Sequence, residues 1–302
     1  MNSEQTREIL RKVRHIEIRT KRLVNDSLAG EYHSVFKGRG INFDEVREYV
    51  PGDEVRTIDW NVTARAGRPF IKKFVEEREL TLMLLVDVSE SGNFGSGAQS
   101  KREMAAELAS VLAFSAVRNS DKVGLVLFTD QIELFVPPRK GRRHVLRLVR
   151  EVLGYEPRHR GTDLTRALDF TNHVLSRRTI VFLISDFQSP HDPESALASL
   201  RRAIRQTHCR HDLVTMRVHD PREEELPDFG LLAVEDAETG EALEVDTGDE
   251  NVRKRFNEIA LENSERLRRL FSGEAVDSLS LSTAEPYLPA LMGFFKFRER
   301  RH

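Results

Sequence analysis

The sequence predicts an α/β chain, built on a doubly wound, mostly parallel sheet that carries an antiparallel edge hairpin and follows an N-terminal helix and short-strand segment. Three observations lead there. From residue 80 onward, apolar runs of strand length alternate with amphipathic stretches of helix length. Two of the runs, LTLMLLVDV at 80–88 and TIVFLISDF at 179–187, are almost continuously apolar, as strands covered on both faces must be. Helix-start signals fall between the runs. Ser100-Lys101-Arg102-Glu103 has the spacing of a capping box, and Asp192-Pro193 sets an N-cap before a proline at the first helical position.

Taken in order, residues 4–28 place Ile9, Val13, Ile16, Leu23 and Val24 near helical spacing with Arg and Lys between them. This is an amphipathic basic helix, expected to lie on its own domain, with any membrane contact peripheral. Residues 32–79 differ in texture. Gly38, Gly40, the turn Pro51-Gly52-Asp53 and short apolar runs broken by charge predict turns and short strands without a helix. Arg39, Arg47, Arg56, Asp53 and Asp59 are expected to form an ion-pair network, and Trp60 to anchor the segment by packing. Residues 1–79 thus read as a segment packed on a main domain of 80–302.

Within that domain a helix runs from Ser100 to near Asn119, followed by a hairpin of KVGLVLFTD (122–130) and QIELFVPP (131–138). Residues 142–153 and 164–177 read as helices, 179–187 as a strand, 193 to near 207 as a helix and 212–220 as a strand. A second hairpin turns near Glu238-Thr239-Gly240. A charged helix from near Glu250 to Phe271 and a last strand in VDSLSLST complete the reading.

Composition bounds the function. With 302 residues, 39% hydrophobic, 32% charged and a net charge of −2, the chain reads as soluble and globular, with no bulk attraction to nucleic acid. A single cysteine, Cys209, excludes an internal disulfide and a cysteine metal cluster. The charged N-terminus lacks a secretory apolar run, and no stretch approaches the roughly 18 apolar residues of a membrane span. Cytoplasmic residence is expected. Charge is uneven: Arg139–Arg160 holds eight Lys/Arg against two Glu, and Arg222–Glu250 holds twelve acids against one Arg.

Chemistry concentrates in three loops that follow or join these elements: Asp87-Val88-Ser89-Glu90-Ser91, Gly161-Thr162-Asp163 and Ser185-Asp186-Phe187. In an open α/β sheet the carboxyl ends of central strands share one rim, so the first and third loops should meet. Asp87, Ser89, Ser91, Thr162 and Asp186 are two carboxylates and three hydroxyls without His or Cys. That donor set suits Mg²⁺, with Mn²⁺ or Ca²⁺ as alternatives. Asp87, Ser89 and Ser91 at i, i+2 and i+4 can wrap their oxygens around one point. Alone, D-x-S-x-S at a strand end is an ordinary turn former. Capping does not account for the set, because the following helices have their own caps at Ser100 and Asp192; Thr162 is the weakest member, since it or Asp163 could cap the 164 helix.

D-V-S-E-S, the Gly-Thr-Asp loop and the later S-D loop resemble the metal-ion-dependent adhesion site of von Willebrand factor A domains. More specifically, FKGRGINFDEVREYVPGDEVRTIDWNVTARAG (36–67) followed by FVEERELTLMLLVDVSESG (74–92) resembles the signature of the bacterial domain of unknown function 58 family. The resemblance implies a von Willebrand A-like fold, the metal site on Asp87, Ser89, Ser91, Thr162 and Asp186, and association with a MoxR-type AAA+ ATPase in maturation of protein complexes. Gly92 departs from the family, where relatives often carry methionine, and Asn93-Phe94-Gly95-Ser96-Gly97 predicts a more mobile loop.

No dinucleotide fingerprint, phosphate loop, H-E-x-x-H or G-x-S-x-G is present, and His144, His159, His173 and His208 share no ligand spacing. The leading expectation is therefore a non-enzymatic, metal-dependent module that holds a partner's acidic side chain. The alternatives are a Mg²⁺-dependent phosphoester hydrolase and a metal-free scaffold.

Overall fold

The computed structural model describes residues 11–18, 20, 32, 35–36, 45–53, 55, 58, 60–73, 80–188, 193–235, 240 and 242–301. The chain divides into two compact units, Lys37–Glu79 and a larger one of Met1–Phe36 with Leu80–His302.

In the smaller unit β1 (Glu45–Glu48) pairs antiparallel with β2 (Phe70–Lys73). The expected turn is present: Gly52 takes φ 115°, and Asp53 N–H returns to Val50 O at 3.0 Å. Of the expected ion network, Arg47 grips Asp53 through two hydrogen bonds, 2.9 and 2.7 Å. Arg39, Arg56 and Asp59 lie outside the described residues. One expectation is corrected. A short helix α1 (Trp60–Ala66) crosses the segment, closed by Gly67 at φ 66°; seven residues are too few for apolar periodicity to announce it.

The larger unit holds a six-stranded sheet in the order β10-β7-β6-β3-β4-β5. These are β3 (Thr81–Asp87), β4 (Lys122–Phe128), β5 (Ile132–Arg139), β6 (Ile180–Ser185), β7 (Asp212–His219) and β10 (Asp277–Ser282). All neighbours are parallel except the β4–β5 edge hairpin. This is the expected doubly wound, mostly parallel α/β sheet with an antiparallel edge hairpin. Residues of β3 alternate between two cores: Leu82, Leu84 and Val86 face one, Met83 and Leu85 the other.

The first core is covered by α2 (Lys101–Arg118), α3 (Arg142–Gly154) and α7 (Tyr287–Arg301), with Val13 and Ile16 of the N-terminal helical stretch. The second is covered by α4 (Leu164–Val174), α5 (Pro193–Arg210) and α6 (Glu250–Gly273). Helix α7 has no counterpart in the sequence reading. Its Arg298 is 3% exposed, stacked 4.7 Å over the Phe36 ring and paired with Asp212 and Asp277 at 2.6 and 3.0 Å. The second expected hairpin, β8 (Leu231–Glu235) with β9 (Ala242–Asp246), forms its own two-stranded sheet. Asp192, Glu238 and Thr239 fall outside the described residues.

Candidate metal centre

Strands β3 and β6 are hydrogen-bonded neighbours, so their carboxyl ends deliver Asp87 and Asp186 to one rim. Chain order reverses there: β4 continues on one side of β3, whereas β6 and β7 run out on the other. Open α/β sheets take ligands at such a switch point.

Asp87 Oδ1 accepts the Ser89 N–H at 2.9 Å, and its Oδ2 accepts the Ser185 hydroxyl at 2.6 Å. The Ser89 and Ser91 hydroxyls are 3.1 Å apart, and Ser91 donates to Asp186 Oδ2 at 2.8 Å. Four of the five expected residues are thus joined by one buried, unbroken chain of hydrogen bonds. Phe187, at φ 57°, turns the backbone sharply after Asp186 and stacks edge-on against Phe271 at 5.1 Å. A left-handed aromatic costs about 1 kcal/mol or more, and here that strain aims the aspartate.

Thr162 is half-buried, on a loop far along the chain from the other four. Its loop nevertheless reaches the first one, because Glu90 N–H donates to Arg160 O at 3.2 Å. Asp163 is the N-cap of α4, accepting the Arg166 N–H at 2.9 Å, so Thr162 is not needed for capping. Glu133 fastens the loop from behind. Its side chain, 2% exposed, accepts the Arg158 and His159 N–H groups and the Thr129 hydroxyl, each at 3.1 Å, with His159 Nδ1 at 2.9 Å.

The glycine-rich segment is tied down and does not fit the mobile loop expected of it. Ser96 donates twice to the buried Asp220, and a Cβ on Gly95 would lie 2.6 Å from Gln99 O and from Ser100 Cα. Only glycine fits that approach.

Burial pushes the Asp87 carboxyl up to about 6; the Asp186 charge adds to this, against hydrogen bonds from Ser185 and Ser89. A cavity of about 20 Å³ opens beside Asp87, Ser89 and Asp186, room for one water or one ion.

The residue that the sequence reading missed is Lys101. Its side chain is 2% exposed, and its ammonium donates to Asp186 Oδ2 at 2.6 Å and to Glu223 Oε1 at 2.5 Å. Burial alone would lower its pKa, but Asp186 and Glu223 outweigh that and raise it. The capping box read at this point is real, with Ser100 and Glu103 exchanging bonds at 3.2 Å. Lysine in a first helical turn opposes the helix dipole, and that was the signal of a carboxylate partner elsewhere.

Donor chemistry suits a hard divalent cation, with Asp87 and Asp186 as the carboxylates of the lining. Arg102, also at the cavity, donates to Tyr155 O and faces Glu90 and Glu156. The fit carries one condition, since Asp186 Oδ2 is shared with the Lys101 ammonium. Among the described residues no group of three or more His, Cys, Asp or Glu is placed to hold a metal, so any such site relies on the serine hydroxyls.

Comparisons with known proteins agree with the fold. The family described as "Protein of unknown function DUF58" matches residues 45–266. Uncharacterized protein Rv1480 of Mycobacterium tuberculosis is 31% identical over 290 residues, covering 95% of this chain and 89% of that protein, and Mb1516 of Mycobacterium bovis matches equally. An aerotolerance-related membrane protein from Bacteroides fragilis superposes with a TM-score of 0.50 at 13% identity, over 74% of this chain and 100% of that one. That likeness is one of fold. Among the described residues no helix is long and apolar enough to cross a membrane.

Proposed function

We propose that this chain, which belongs to the DUF58 family, is a metal-dependent protein-interaction module and not an enzyme. The observation that carries this reading is the hydrogen-bonded chain Asp87–Ser89–Ser91–Asp186, which spans two adjacent strand ends beside a cavity of ionic size. Fold alone does not decide function, so the reading rests on the site.

Asp87, Ser89, Ser91 and Asp186 would hold the ion directly or through water, with Thr162 offered from the second loop. Mg²⁺ suits these oxygen donors, with Mn²⁺ or Ca²⁺ as alternatives, and when bound it supplies a Lewis-acidic position that an Asp or Glu of a partner can occupy. The chain's own residues do the positioning. Ser185 and the Ser89 N–H fix the two oxygens of Asp87, the Gln188 N–H holds Asp186 Oδ1 at 3.1 Å, and the serine hydroxyls contribute dipoles without adding negative charge.

On the family resemblance the partner of first choice is a MoxR-type AAA+ ATPase, engaged through an acidic side chain. Purified ATPase should be retained by the immobilised chain in Mg²⁺, released by chelator, and not retained by the Asp87→Ala variant. Retention that survives both chelator and the substitution overturns the proposal. A panel of phosphoesters with Mg²⁺ tests the enzymatic alternative: turnover that disappears in Asp186→Ala would favour a hydrolase.

A further inference from the structure

We propose that Lys101 is the residue that sets the cation affinity of this rim: its ammonium is a resident counter-ion of Asp186 that must withdraw to Glu223 before a divalent ion can enter. The inference rests on the metal-site reading above and adds a competitor to it.

The geometry makes the exchange short. Lys101 Nζ already touches both acceptors, 2.6 Å from Asp186 Oδ2 and 2.5 Å from Glu223 Oε1, so releasing one needs no rearrangement of α2. The two acceptors are not equivalent. Asp186 Oδ2 also receives the Ser91 hydroxyl and belongs to the candidate ligand set. Glu223 stands apart from that set and is independently anchored: its Oε2 accepts the Asp220 N–H at 3.0 Å and its Oε1 accepts Gln188 Nε2 at 3.1 Å.

Asp220 in turn caps the Pro221–Glu223 turn. Glu223 is thus a fixed parking place for the ammonium at the end of β7. A divalent ion on Asp186 with Lys101 still bound would bring two cations to one carboxylate oxygen in a site where charge is poorly screened. Entry of the ion and retention of that ion pair therefore oppose each other.

Opposite shifts are expected from the two ends of the Lys101 bridge. In Lys101→Met the side chain keeps its length and loses its charge, and MgCl₂ titrated into the full chain by calorimetry should bind about tenfold tighter than wild type. In Glu223→Gln the parking place is weakened, Lys101 is left to Asp186, and binding should weaken by a similar factor. A purely structural role for Lys101 would weaken binding in both variants. Equal affinity in wild type and Lys101→Met, or tighter binding in Glu223→Gln, overturns this inference and leaves the metal site standing. Absence of binding in all three proteins at millimolar MgCl₂ and MnCl₂ overturns both. If Lys101→Met does not fold, as judged by its melting profile, Lys101→Gln replaces it with the same expected tightening.

Discussion

Asp220 and Ser96 are joined by two hydrogen bonds, from the serine N–H at 2.9 Å and its hydroxyl at 2.6 Å, across 124 positions of chain. With the Thr283 hydroxyl at 2.6 Å and the Arg222 N–H at 2.9 Å, they surround a fully buried carboxylate at the end of β7. One side chain therefore ties the glycine loop, the last strand and the Glu223 turn to the same rim.

Asp220→Ala should cost roughly 3 kcal/mol, because charge-assisted bonds contribute about 1.5–3 kcal/mol each and their donors are left buried. Burial pushes the Asp220 carboxyl up, but hydrogen bonds from Ser96, Thr283 and Arg222 outweigh it and bring it to about 2. The folded pKa lies below the unfolded one, so this stability is present above about pH 4 and is lost as pH falls toward 2. Denaturant melts should show the gap between wild type and variant narrowing over that window; a gap of constant width contradicts it.

Asp87 carries the opposite sign. Its folded pKa, about 6, lies above the ordinary 3.8, so the ionised form is penalised and stability falls as pH rises between those values. In chelator at pH 8, Asp87→Asn should melt above wild type, by about 1 kcal/mol or more. Added Mg²⁺ should then stabilise wild type and leave the variant unmoved. A variant that melts lower in chelator would show that the carboxylates are not in conflict.

Glu133→Ala removes the acceptor that gathers Thr129, Arg158 and His159 beneath the second loop. A loss of about 2–3 kcal/mol is expected. Limited trypsin digestion should cut first after Arg158 or Arg160 in the variant and not in wild type. An unchanged cleavage order would mean that other contacts hold the loop.

His211 is 1% exposed, and neither ring nitrogen has a hydrogen-bond partner among the described residues. Burial, aided by the charges of Arg210 and Arg178, pushes its pKa below 6.5. The folded state keeps the ring neutral while the unfolded chain takes the proton, so stability is lost as pH falls below about 6.5. Compared with wild type, His211→Leu should gain roughly 1 kcal/mol on going from pH 7 to pH 5 in parallel melts. Parallel curves over that range would count against an uncharged, buried ring.

Much of the site was legible because its signals are local. The apolar runs ending in Asp87 and Asp186 fix which strands are doubly covered, and strands of that kind sit adjacent at the centre of the sheet. From there, D-x-S-x-S spacing and the S-D pair place four oxygen-bearing side chains at one rim. Thr162 was less legible, because the loop holding it is positioned by a backbone contact to Glu90 and by the buried Glu133, neither of which has a local pattern.

The sequence by itself determined the strand and helix alternation, the cap at Ser100 and the oxygen-donor type of the candidate site, all carried by periodicity and hydrogen bonding within a few residues. Only the tertiary structure decided that Lys101 reaches Asp186 and Glu223, 85 and 122 positions away, and that α7 covers the first core. The reason is physical. Backbone geometry responds to neighbours along the chain, whereas the partner of a buried charge is chosen by whichever carboxylates the folded sheet brings within its reach.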